Sequence, residues 1–96
     1  MLFRSLTSRP RLAAKARLRF DRKSERTMIL FPEKGLELSP TAADVVHLCT
    51  GEHTVAEIVE RLLQRYATED RAAVEREVLE FLNTMAERCL VVEGVP

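Results

Sequence analysis

Only two cysteines occur among the 96 residues, Cys49 and Cys89, and neither has a second Cys or a His at ligand spacing. That excludes a zinc-type site, a redox pair and a disulfide framework. Both read as buried small side chains, as free cysteine usually is. A reducing, cytoplasmic setting fits them. No apolar run is long enough for a transmembrane helix. The opening MLFRSLTSRPRLAAKARLR is basic but has no apolar h-region, so it is no secretory signal. The three glycines form no phosphate-binding loop, and neither G-x-S-x-G nor H-E-x-x-H occurs. His47 and His53 fall on different elements and lack a third ligand. No catalytic set, metal or cofactor is therefore expected, and a chain of this size has little room for a deep pocket.

Net charge is zero, yet the charges are segregated. Residues 1–23 hold eight Lys/Arg and one acid, Asp21; residues 24–96 hold seven Lys/Arg and fourteen acids. A basic arm precedes an acidic body. The arm is either a solvated tail or a contact, to an acidic partner or to the chain's own body. Residues 1–16 show no sustained periodicity and read as that arm, irregular or ordered by a neighbouring subunit. Residues 17–93 read as one domain.

Arg17 to Asp21 alternates, with Leu18 and Phe20 on one side, and predicts a half-buried strand. The polar run 22–25 suits a hairpin loop. Thr27 to Phe31 (TMILF) is apolar on both faces and predicts a central strand. Either Met28 and Leu30 or Ile29 and Phe31 pack on the helices. The other face then needs a cover: the arm, a second subunit or a partner. Pro32 stops this strand, 33–35 turn, and Leu36-Glu37-Leu38 forms a short third strand at an edge. The arm and the two-faced strand both permit a dimer, with N-terminal segments exchanged.

Ser39-Pro40 predicts a helix start, serine capping and proline at the first helical position. Ala42, Val45, Val46 and Cys49 share a face, and Gly51 ends the helix. Thr54-Val-Ala-Glu57 is a capping box, followed by a stripe of Val55, Ile58, Val59, Leu62, Leu63 and Tyr66. A third helix is predicted from Thr68-Glu69-Asp70 to about Arg88. Its core face is Val74, Val78, Phe81, Leu82 and Met85, and Ala72, Leu79 and Ala86 flank that stripe. Cys89 to Val92 closes the domain as a short strand or extended tail. The expected fold class is α+β: a three-stranded antiparallel sheet followed by a three-helix bundle, winged helix-turn-helix-like.

That architecture invites a DNA-binding reading, but recognition needs cations on the inserted helix. Helix three, over 69–88, carries six acids against three arginines. A binding module fits better. A short edge strand offers unpaired N–H and C=O groups to which an extended peptide adds as a further strand. The Leu79, Leu82 and Ala86 flank would form the second wall of the groove.

The run L-F-P-E-K-G-L-E-L-S-P-T-A-A-D-V-V-H-L-C-T-G-E-H-T-V-A-E-I-V, from Leu30 to Val59, resembles the PqqD family of pyrroloquinoline quinone (PQQ) biosynthesis. Pro32-Glu33, Leu38, Thr41-Ala42, Gly51, Thr54-Val55 and Glu57-Ile58 carry the likeness. Val78, Phe81-Leu82 and Cys89-Leu90-Val91 extend it. It covers about residues 17–93; Ser39 and Thr50 depart from it, standing where Asn and Asp are common. The resemblance implies a winged helix-turn-helix peptide-recognition domain, a RiPP recognition element. It implies a non-catalytic, cofactor-free chaperone that binds the precursor peptide PqqA and presents it to the radical S-adenosylmethionine (SAM) enzyme PqqE. It also implies a peptide site beside the third strand and against the third helix: Leu36, Glu37 and Leu38 with Ala72, Glu75, Leu79, Leu82 and Ala86. The alternative reading is a recognition domain for a different peptide-modifying enzyme.

Overall fold

The computed structural model describes residues 6–31 and 34–93. Eight elements follow in order: β1 (Pro10–Leu12), β2 (Arg17–Asp21), β3 (Arg26–Phe31), β4 (Lys34–Leu38), α1 (Pro40–His47), α2 (Val55–Arg65), α3 (Arg71–Glu87) and β5 (Val91–Glu93). The fold is α+β, with three helices and antiparallel sheets. Where one three-stranded sheet was expected there are two sheets, β2-β3-β4 and a pair β1-β5.

β3 is central and β4 is an edge, as the patterning predicts. The register sets Leu18, Ile29 and Leu36 in one row across the sheet. Ile29 is wholly buried, which selects the Ile29/Phe31 face as the one under the helices. Phe20 shares that face but is exposed, because its partner Thr27 lies next to the hairpin loop, toward the open end of the sheet. In that loop the Asp21 carboxylate accepts from the Lys23 N–H and the Ser24 hydroxyl, and Glu25 takes φ 57°. This Asx-type arrangement replaces the missing Asn-Gly signal. The proposed stop at Pro32 and the turn residue Glu33 lie outside the described residues; strand pairing flanks them, ending at Phe31 and Lys34.

On the outer face Met28 and Leu30 lie over Gly35. A Cβ there would come 2.9 Å from Met28 Cε and 3.3 Å from Leu30 Cδ2, so a larger residue would require the flexible end of Met28 to shift and Leu30 to give slightly.

Local signals set the helix starts. The Ser39 hydroxyl accepts from Ala42 N–H at 3.1 Å, with Pro40 first in α1. Thr54 and Glu57 close both halves of the capping box. Asp70 caps α3 by accepting from Ala73 N–H. The hydrogen bond from the Thr54 N–H holds the Glu57 carboxyl below its usual range. α1 stops earlier than the glycine suggests, with Leu48 as C-cap. Gly51 turns the chain three residues later, at φ 84°.

The core joins Ile29 and Leu38 of the sheet to Val45 and Val46 of α1, Val55, Ile58, Val59 and Leu62 of α2, and Val78, Leu82 and Met85 of α3. Cys49 is buried as expected, but Cys89 is exposed. Cys89 follows the α3 C-cap Arg88 at φ 60°, a left-handed turn at the surface that leads its neighbour Leu90 back into the core.

The described part of the arm is structured. β1 pairs with β5, near the other end of the chain, in the register Pro10↔Glu93 to Leu12↔Val91. Ala13 N–H donates to Leu90 C=O at 2.8 Å, Leu12 N–H to Cys49 C=O and Gly51 N–H to Pro10 C=O. Earlier still, Ser8 C=O accepts from Val55 N–H, and Leu6 C=O from Ala56 N–H. Those are the first two amides of α2, which have no partner within the helix. The arm therefore completes the cap that Thr54 begins. Its described residues pair with their own chain, at the start of α2, the Cys49–Gly51 turn and β5. Deleting residues 1–8 should cost roughly 2 kcal/mol, about 1 kcal/mol for each lost bond. Deleting residues 1–13 should cost more, because β5 then loses its partner. Urea unfolding checks this; an unchanged midpoint for the longer deletion would show the arm to be energetically idle.

Candidate functional site

β4 pairs only with β3 among the described residues, so its other edge is open. The opposite edge of the sheet is β2, where Arg17, Arg19 and the nearby Arg22 and Lys23 place charge. Cations at an edge discourage strand addition. β4 carries Leu36 and Leu38 instead and is the more receptive edge.

A cleft of about 520 Å³ begins where β4 ends. Its wall on one side is Ser39, Thr41, Ala42 and Val45, the residue after β4 and the first turns of α1. Its other wall is Ala73, Val74, Glu77, Val78 and Phe81 of α3. Leu62 and Tyr66 of α2, with Thr68 and Asp70, close the far end. Val45, Leu62 and Val78 are buried and form an apolar floor, while Val74 and Phe81 are half-buried. The Tyr66 hydroxyl donates to Asp44 of α1, and Arg65 Nε lies 3.1 Å from the same carboxylate. This latch ties the end of α2 to α1 and holds the Tyr66 ring at the cleft.

The eight residues predicted for the site fall into three groups. Leu36 and Leu38 sit on the inner face of β4 and pack with the core, with Leu38 buried and Leu36 partly so. Glu37 points to the outer face, where it meets Arg26 at 3.2 Å. Leu82 is wholly buried at the centre of α3. Ala72, Glu75, Leu79 and Ala86 lie on one flank of α3. Val74, Glu77 and Phe81 lie on the other, across the Val78, Leu82 and Met85 face at 100° per residue. The flank facing Ser39 and the end of β4 is the second one. Leu79 and Ala86 pack against the core from their own side. Phe81, Val74, Tyr66 and Thr41 are the cleft residues that the sequence reading left out of the site. Val74, Phe81 and Tyr66 lie in predicted apolar helix faces and Thr41 in the first turn of α1, but nothing local shows which face meets the strand.

Among the described residues no cluster of three His, Cys, Asp or Glu side chains is placed to hold a metal ion, and no helix is long and apolar enough to cross a membrane. Burial pushes the Cys49 thiol up to about 12, so it is a poor thiolate source at ordinary pH.

An open strand edge leading into an apolar cleft between helices defines a class of protein: small α+β domains equipped to take up an extended chain. The chain belongs to the PqqD family, matching Coenzyme PQQ synthesis protein D (PqqD) over residues 26–91. It is 40% identical over 90 residues to a PqqA binding protein of Rhodopseudomonas palustris strain TIE-1, covering 94% of this chain and 87% of that one. It is 35% identical over 79 residues to the Bifunctional coenzyme PQQ synthesis protein C/D of Methylorubrum extorquens, covering 82% of this chain and 21% of that protein. Its fold is similar to the solution NMR structure of the PqqD truncation of Methylobacterium extorquens PqqCD, a RiPP recognition element. The TM-score is 0.74 at 32% identity, over 86% of this chain and 87% of that one.

The two thiols should differ sharply. A disulfide reagent at pH 8 should titrate one thiol in the folded protein and two in denaturant, and Cys89→Ser should abolish the native reaction. Rapid native modification of Cys49 would contradict its burial.

Proposed function

We propose that this chain is a non-catalytic, cytoplasmic peptide chaperone of PQQ biosynthesis. It binds the precursor peptide PqqA as an added strand on β4 and presents it to the radical SAM enzyme PqqE. The observation that carries this reading is the continuity of the open β4 edge with the cleft at Ser39. Main-chain groups of Leu36, Glu37 and Leu38 supply a ladder, and alternate peptide side chains on the inner side descend into the cleft. The relatives named for PqqA binding and the recognition element of similar fold support it. The fused C/D protein supports a role beside other proteins of the pathway.

In this reading the three helices and the β2-β3-β4 sheet are a winged helix-turn-helix turned to peptide recognition. DNA is disfavoured. α3 carries Glu75, Glu77, Glu80 and Glu87 against Arg71 and Arg76, and Arg71 is already paired with Glu60.

Titrating isotope-labelled protein with synthetic PqqA peptide should shift amides at 35–39 and at Ala73, Val74, Glu77 and Phe81. Shifts confined to residues 6–16 would sink the groove assignment. Shifts centred on Ala72, Glu75, Leu79 and Ala86 would move the site to the opposite flank of α3. Phe81→Glu should weaken binding about tenfold or more, the scale of losing one aromatic contact. Thr41→Trp, at an exposed position on the cleft wall, should weaken it while leaving the thermal melt intact.

A further inference from the structure

We infer that the cleft selects peptides that place a Lys or Arg two residues from an apolar anchor. This rests on the peptide-groove reading above and adds the chemistry of the segment that the groove takes. Among the described residues only two charged side chains line the cleft, Asp70 and Glu77, and both are acids. Among the described residues neither belongs to an ion pair. Of the cations near them along the chain, Arg65 pairs with Asp44 and Arg71 with Glu60, while Arg76, next to Glu77, projects from another side of α3 at 100° per residue and does not line the cleft. Asp70 is also committed as the α3 cap, accepting from Ala73 N–H at 3.1 Å. Glu77 is the carboxylate left for a ligand.

Spacing gives the register. Glu77 and Phe81 are four residues apart on one face of α3, about 6 Å along the helix axis. Residues two apart on one side of an extended peptide are about 6.6 Å apart. A strand running beside α3 with its apolar side chain against Phe81 therefore brings a side chain two positions away to Glu77. The immediate neighbour of the anchor points to the other face of the sheet. The opposing influence is the α3 N-terminus, which favours anions with roughly half a positive charge. The Asp70 carboxylate stands on that terminus and offsets it, so the cleft favours a cation.

The test uses labelled decapeptides in a Thr/Val background, with one central Phe and either Lys or Glu at both positions two residues from it. A third peptide carries Lys at both adjacent positions instead. Fluorescence anisotropy should show the first binding about two- to five-fold tighter than either other peptide, the scale of one exposed ion pair. The margin should shrink in 0.5 M salt. Glu77→Gln should remove the preference and Glu77→Lys should invert it, with the melt unchanged because Glu77 is exposed. Equal binding of all three peptides, or a Lys preference that survives Glu77→Lys, would overturn this inference and leave the groove standing. If no peptide binds and Thr41→Trp changes nothing, the groove reading itself has failed and the inference with it.

Discussion

Ile29 stands at the centre of a sheet covered on one face only. Leu18 and Leu36 flank it in the same row, and side chains of all three helices belong to the cluster around it. The helices are thereby committed to the inner face. The edges are left to be managed by the strands themselves. β2 does so with cations. β4 cannot be extended by its own chain, because Ser39 caps a helix and Pro40 has no N–H for a ladder. An open edge is thus a consequence of packing three helices onto one face and starting the first of them one residue after the strand.

The arm shows a second way in which backbone groups drive the architecture. Its positive charge looks like its main property, yet its described residues are held mostly by main-chain bonds. Carbonyls of Leu6 and Ser8 close the α2 amides, and Pro10 to Ala13 exchange bonds with the Cys49–Gly51 turn and the β5 region. Arg9 takes part through its amide, donating to the Glu93 carboxylate at 2.8 Å. The segment works as helix cap and strand partner whatever its charge. The half-exposed Met28 and Leu30 on the outer sheet face stay uncovered by its described residues.

Much of the fold was legible because its instructions are local. Ser39-Pro40 and Thr54-Val-Ala-Glu57 specify helix starts within four residues, and each forms the hydrogen bonds that its pattern implies. The alternation around Leu18 and Leu36-Glu37-Leu38 set strand type and facing. β1 was not legible, since three residues with a proline carry no periodicity and their partner lies at the other end of the chain. The end of α1 was misplaced by three residues, because a left-handed glycine marks a turn and not necessarily the cap. The burial of both cysteines was expected from residue type, and Cys89 departs from it through a left-handed backbone at a helix end.

The candidate site divides along the same line. Helical periodicity assigned α3 a core face of Val74, Val78, Phe81, Leu82 and Met85 with one flank at Ala72, Leu79 and Ala86, and the sequence by itself determined that the centre of that face, Val78, Leu82 and Met85, would be buried. It could not show which side of that stripe faces α1, because a helix wheel carries no information about its neighbours. Only the tertiary structure decided that α1, entering at Ser39, approaches from the Phe81 side. That approach forms the cleft, whose lining takes in Ser39, the residue after β4, and Glu77 of α3. Periodicity describes one element at a time, whereas a groove belongs to two.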